Sequence, residues 1–288
     1  MRFVKMQGTG NDFLLVQAHG EEPGTGPSGR DWGALARAMC DRHYGVGADG
    51  LMVALPAKGG ADVRMRLFNA DGSEAEVSGN GVRCLVKYAV ERGLARPRDG
   101  RLRVEAVSGV LEAEVLGGGD RVERVRLSMG APRFAPQEVP VVTEMEPPIV
   151  DMPLDVEGAE LAVTCLSMGN PHAVLFVDEP VEGYPLEDMG PKVEHHPSFP
   201  ARVNFGAARV LGRDRMEVRV WERGVGETLA CGTGSSAAMV AAHLKGLVGD
   251  SVDITQPGGP LTVEWDGRGE VYLTGPAEFV FEGDWPEG

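Results

Sequence analysis

Apolar residues alternate with polar ones along most of the chain, and that period of two reads as β-strand. In the first half the alternation runs through FLLVQA at 13–18, VRMRLF at 63–68, LRVEAV at 102–107, VLEAEV at 110–115 and VERVRLSM at 122–129. It continues through LAVTCLSM at 161–168, HAVLFV at 172–177, MEVRVW at 216–221 and LTVEW at 261–265. Short Gly-rich or charged segments separate these runs, the pattern of antiparallel sheet. Three stretches break to a helical period: 31–42 with Asp31 as its N-cap, about 80–92, and about 233–245. The last two stop at Gly93 and Gly246, where a glycine closes a helix most easily. A chain of mostly strands with a few helices is expected to be α+β.

The pattern repeats. Val63, Met65 and Leu67 lead to Asn69, Glu74, then Ser78-Gly-Asn-Gly and a helix. Met216, Val218 and Val220 lead to Glu222, Glu227, then Cys231-Gly-Thr-Gly and a helix, and every correspondence is offset by 153 residues. A strand, two polar positions, a GxG turn and a helix in one register predict two similar domains related by approximate twofold symmetry. With 288 residues, two domains also suit the length. The GGGD run at 117–120 is the expected linker.

Composition narrows the partners. Net charge is −15 and no run of more than two basic residues occurs, so a phosphate backbone is not an expected ligand. No apolar stretch reaches 18 residues, and no membrane span is expected. The start, MRFVKMQGTGNDF, lacks the apolar core of a secretory signal. Cys40, Cys84, Cys165 and Cys231 are scattered without CxxC pairing, which points away from a disulfide framework or a structural zinc and toward a reducing cytoplasm. GVGADG at 45–50 satisfies GxGxxG, but charged DRHY precedes it and a strand-like LMVAL follows, so it reads as a loop rather than a dinucleotide site. His195-His196 sits among charges and prolines and reads as solvated surface.

Asparagine is scarce, with five in the chain: Asn11, Asn69, Asn80, Asn170 and Asn204. Each lies in a short Gly-, Pro- or Asp-bearing segment. Turn formation explains any one of them. An amide, however, both donates and accepts, which suits a substrate bearing a carboxylate and an ammonium.

The turn ETLACGTGSS places Cys231 just ahead of a helix start, where free N–H groups and the positive end of the helix dipole gather. That position is expected to favour thiolate and to bind a carboxylate. A buried, inert cysteine is the plainer alternative. Ser78-Gly-Asn-Gly is expected to build the same turn. If both turns serve one carboxylate, Cys231 and Ser78 flank its α-carbon, and a proton can leave one face while another arrives on the opposite face.

These segments together resemble the diaminopimelate epimerase family: KMQGTGNDF at 5–13, DRHYGVGADG at 41–50, FNADGSE at 68–74, SMGNPHAV at 167–174, RVNFG at 202–206 and VWERGVGETLACGTGSS at 220–236. The resemblance spans nearly the whole chain. It implies two domains, each an antiparallel sheet or barrel wrapped around a central helix, with boundaries expected at 1–118 plus 274–288 and at 119–273. It further implies a homodimer, a small-molecule amino-acid substrate, and interconversion of LL- and meso-diaminopimelate for lysine and peptidoglycan precursors, with no pyridoxal phosphate and no metal.

Carried over by position, the resemblance makes Cys231 and Ser78 the catalytic pair. Gly79-Asn80 and Gly232-Thr233 take the reacting carboxylate. Asn11, Asn69, Asn170, Asn204, Glu222 and Arg223 hold the substrate, especially its distal end. His172 and Glu222 neighbour the pair. One position departs: the family reads CGNG where this chain reads SGNG. A hydroxyl is a far weaker acid than a thiol, so impaired turnover is expected. Two other readings remain open at this point: an amino-acid-binding homologue without activity, and an epimerase of another amino acid that uses a Ser/Cys pair.

Overall fold

The computed structural model describes residues 1–18, 30–57, 59–119 and 121–286. The chain divides into two compact units, Met1–Leu127 with Thr274–Gly288, and Ser128–Leu273. In the first lie β1 (Arg2–Gly8), β2 (Asn11–Gln17), α1 (Trp32–Cys40), β3 (Gly50–Leu55), β4 (Val63–Asn69), β5 (Glu74–Ala75), α2 (Gly79–Glu91), β6 (Arg101–Ala106), β7 (Gly109–Leu116) and β8 (Arg124–Ser128). The second follows with β9 (Ile149–Val156), β10 (Ala159–Ser167), β11 (Pro171–Phe176), α3 (Leu186–Glu194), β12 (Asn204–Gly212), β13 (Arg215–Glu222), β14 (Gly226–Thr228), α4 (Gly232–Leu244), β15 (Ser251–Gln256) and β16 (Gly259–Glu264). Within β17 (Tyr272–Pro276) the chain returns to the first unit, and β18 (Glu278–Asp284) pairs there with β1.

The first boundary falls later than the glycine run predicts. Gly117–Gly119 follow β7 at the end of the β7–β8 hairpin, in which Leu116 pairs with Arg124 and Ala113 with Leu127; Asp120 of the run lies outside the described residues. Val122, Val125 and Leu127 are fully or nearly buried in the first unit's core, so apolar burial carries that unit on to Leu127.

Most strand pairs among the described residues are antiparallel, as the short turns between the runs predict, but two in each unit are parallel. They are β2–β3 and β4–β6 in the first unit, and β11–β12 and β13–β15 in the second. Each parallel pair is bridged by a connection containing a helix: α1, α2, α3 and α4 in turn. Parallel neighbours need such a crossover, and a period of two along one strand carries no information about its neighbour's direction.

The repeat holds in element order from β1 to β8 against β10 to β17, apart from a short 3-10 turn at Val181–Gly183 that, among the described residues, only the second unit has. Helices α2 and α4 have 13 residues each and start 153 positions apart, at Gly79 and Gly232. Both end in the same cap. Leu94 N–H reaches Ala89 O and Gly93 N–H reaches Val90 O, while Leu247 and Gly246 do likewise to Ala242 and His243. Gly93 and Gly246 take φ of 70° and 69°, a conformation that costs side chains dearly. Every residue of α2 from Asn80 to Val90 is buried, and α4 is apolar or small from Gly234 to Ala242. A helix buried on all sides is the core of its unit rather than a lid on one face. Each Val or Leu buried this way contributes about 1.5–3 kcal/mol. Helix α3 was not legible in the pattern: its register is charged and interrupted by Pro191.

Candidate active site

In the first unit the site grows from the α2 start. Ser78 is the N-cap, in extended backbone at φ −134° and ψ 122°, and its Oγ accepts from Gly81 N–H at 3.2 Å. It is half-buried. The first helical amides have no carbonyl within the helix, so Gly79 N–H points outward at the positive end of the dipole. Asn80 Nδ2 donates to Asn11 Oδ1 at 3.2 Å. Asn11 opens β2 after a two-residue turn, Thr9-Gly10, whose φ values of 53° and 83° are both positive, as a tight hairpin requires.

Asn11 is held from behind. Its Nδ2 donates to Asp49 Oδ2 at 2.6 Å, the same oxygen accepts from Asp12 N–H at 3.1 Å, and Arg42 joins Asp49 and Asp12 at 2.8 Å each. Burial alone pushes the Asp12 carboxyl up, but Arg42 and Lys5 outweigh it and hold it below its ordinary value. The loop around GVGADG thus fixes Asn11, a role not expected from sequence. Asn69, paired across to Gly50 next to Asp49, is exposed and its Nδ2 donates to Ser73 Oγ at 3.0 Å, closing the turn 69–73.

The second unit repeats the cap with sulfur. Cys231 sits at φ −122° and ψ 110°, and its Sγ accepts from Gly234 N–H at 3.4 Å. The second glycine of the GxG is required by packing, since a Cβ on Gly234 would lie 2.7 Å from Val220 of β13. Gly232 and Thr233 offer the outward amides. Thr233 Oγ1 lies 3.5 Å from Cys231 Sγ and accepts from Asn170 Nδ2 at 3.3 Å. Asn170 Oδ1 in turn faces His172 Nε2 at 3.0 Å. Burial, with Arg223 adding, lowers the His172 pKa to about 3, so the ring is neutral and donates through Nε2.

One expectation is corrected here. The helix start does not make Cys231 a ready thiolate. Burial pushes its pKa up to about 12 and the Glu222 carboxylate adds to this, while Thr233 and the Gly234 N–H pull weakly the other way. Removing a thiolate from water costs more than one helix end returns. The neighbour that raises the pKa is itself a proton acceptor. Glu222 Oε1 takes a 2.6 Å hydrogen bond from Thr228 Oγ1 and lies beside the sulfur.

Asn204 is buried, with Nδ2 on Pro171 O at 2.7 Å and Oδ1 accepting from Arg223 N–H at 2.9 Å, so it fixes the turn that carries Glu222 and Arg223. Glu194 braces that turn from α3, accepting from Trp221 Nε1 at 2.8 Å and Gly224 N–H at 2.9 Å. Arg223 is exposed and its Nη1 donates to Ala201 O at 3.0 Å. Gln256, at the end of β15, accepts from Cys231 N–H at 2.8 Å. No signal in the sequence marks Gln256 or Glu194, because their partners are distant in the chain. Cys84 lies inside α2 and is fully buried, and all four cysteines are free.

The diaminopimelate epimerase profile matches residues 3–135 and 164–280. The chain belongs to the diaminopimelate epimerase family. A diaminopimelate epimerase from Moorella thermoacetica is 46% identical over 288 residues, covering 99% of each chain. Another, from Desulforudis audaxviator, is 47% identical over 291 residues, again covering 99% of each. Among solved structures, a probable proline racemase from Agrobacterium radiobacter is similar with a TM-score of 0.70 at 17% identity, over 99% of this chain and 92% of that one. A hydroxyproline epimerase from Agrobacterium vitis is similar with a TM-score of 0.68 at 19% identity, over 98% and 91%. These two likenesses show the two-domain α+β fold.

Proposed function

We propose that the chain interconverts LL- and meso-diaminopimelate, with Cys231 and Ser78 exchanging protons with opposite faces of one α-carbon. The observation that carries this reading is the duplicated helix cap. Two turns of the same backbone geometry each present a proton-bearing side chain beside outward N–H groups, one sulfur and one oxygen. Inverting a carbon needs removal on one face and delivery on the other. The charge left on the carboxylate is met by the N–H groups of Gly79-Asn80 and Gly232-Thr233.

Glu222 takes the proton of the Cys231 thiol. The thiolate then abstracts the α-proton, and the Ser78 hydroxyl supplies a proton to the other face. That last step leaves an alkoxide on Ser78, which water must reprotonate, so this direction is slow. Asn11, Asn69, Asn170, Asn204, Glu222 and Arg223 hold the substrate, especially its distal end, in this reading. Neither pyridoxal phosphate nor a metal enters this scheme. A cytoplasmic homodimer completes the reading; the four free thiols fit a reducing compartment.

The test is α-proton exchange in deuterated water with LL- and meso-diaminopimelate under reducing conditions. Deuterium at the α-carbon, with interconversion of the isomers, is the expected result. Binding without exchange overturns the catalytic part and leaves an amino-acid-binding homologue, the reading that Ser78 favours. Exchange on other amino acids but not on diaminopimelate overturns the substrate.

A further inference from the structure

Arg83 is among the largest fully buried side chains, at 0% exposure on the second turn of α2. Its Nε donates to Pro276 O at 3.0 Å and its Nη2 to Thr9 Oγ1 at 2.9 Å, while Nη1 has no partner. Both acceptors are neutral. A neutral donor would serve them equally, so they do not explain why a cation is there. No acid among the described residues pairs with it, and the Cys84 thiol beside it is itself neutral, pushed up to about 12 by burial. Burial lowers its pKa to about 10, which leaves it charged at neutral pH. Lys87, one turn on and also buried, has Glu91 at 3.0 Å. A buried cation without a counterion is costly unless an anion arrives.

The guanidinium lies near the first turn of α2. A Cβ on Gly8 would meet both Arg83 Nη2 at 3.1 Å and Asn80 O at 3.3 Å, so the charge and the turn that follows Ser78 flank the same backbone glycine. At the matching place in α4 stands Ser236, neutral, with its Oγ on Gly232 O at 2.9 Å. The carboxylate Glu222 sits beside Cys231, and its counterpart 153 residues earlier is the neutral Asn69. One turn is therefore built beside an anion and the other beside a cation.

We propose that Arg83 is a buried electrostatic anchor for the substrate's reacting carboxylate, drawing it to the Gly79-Asn80 turn and opposing the charge that builds there during proton transfer. This rests on the reading of the α2 start as a carboxylate cradle. Arg83 acts through the turn and does not itself touch the carboxylate.

Charge and hydrogen bonding separate by substitution. Arg83→Gln keeps a donor and removes the charge; Arg83→Lys keeps the charge and loses the fork; Thr9→Ala removes a hydrogen-bond acceptor and leaves the charge alone. Affinity for meso-diaminopimelate by calorimetry, kcat and KM are measured on each, with urea midpoints to establish folding. R83Q is expected to lose at least about tenfold in affinity and in kcat/KM, and R83K and T9A less than about threefold. If R83Q does not fold, Arg83→Met, which also removes the charge, takes its place in the same assay, and wild-type affinity in that folded variant overturns the anchor. Wild-type affinity in folded R83Q, or losses in T9A as large as in R83Q, overturn it. Wild-type protein that fails to bind diaminopimelate overturns the functional reading and this inference together.

Discussion

Replacing Ser78 by cysteine changes one atom at the position where the chain departs from its family. The thiol fits because the other unit already shows the same cap with sulfur. Backbone angles differ by 12° in φ and 12° in ψ (−134° and 122° against −122° and 110°), and the cap bond lengthens only from 3.2 to 3.4 Å. The exchange of one N-cap acceptor for another is expected to cost under about 1 kcal/mol of stability. The catalytic effect is larger. A positioned acid or base contributes about 10²–10⁴ in rate, which is about 2.7–5.4 kcal/mol of barrier. Ser78→Cys is therefore expected to raise turnover of LL-diaminopimelate at least about 10²-fold, with affinity nearly unchanged because the cradle is backbone. The assay is conversion of LL to meso isomer by chiral chromatography, under reductant so that no disulfide forms. A cysteine form no faster than the serine form, folded to the same urea midpoint, would refute the pairing of Ser78 with Cys231.

Cys231 is expected to alkylate slowly at pH 7, with a rate that keeps rising past pH 9, since its folded pKa is about 12; a rate plateau below pH 8, read by mass spectrometry of iodoacetamide adducts, would contradict this. Glu222→Gln removes the anion that raises that pKa, so alkylation should quicken at fixed pH while epimerisation slows by about 10²-fold; parallel changes in both rates would remove Glu222 as the proton acceptor. All four thiols are pushed up to about 12 by burial, above the ordinary value of 9.0. Folding favours their protonated form, so this contribution to stability is complete below pH 9 and declines between pH 9 and 12, measurable as a falling urea midpoint. Asp49→Ala frees the Asn11 amide and should raise KM about tenfold with a smaller change in kcat; an unchanged KM would show that the Asp49 bond does not orient Asn11.

The linear pattern by itself determined the two-unit repeat, the strand content, the two central helices with their glycine caps, and the placing of Ser78 and Cys231 at equivalent helix starts. All of these depend on residues within a few turns of each other, where spacing and backbone preference act directly. Strand direction was decided only in three dimensions, because alternation is the same whether a neighbour runs parallel or antiparallel. The same holds for the first boundary: GGGD looks like a linker locally, but Val125 and Leu127 belong to the first core. The protonation of Cys231 followed the same rule. Its helix-start position is local and favours thiolate, whereas burial and Glu222 are supplied by packing and win. Asp49 behind Asn11, Gln256 on the Cys231 amide, Glu194 under the Glu222–Arg223 turn and Arg83 without a counterion are likewise products of packing. Their partners stand up to 193 positions away in the chain, and a desolvated charge or amide has no signature until the fold removes its water.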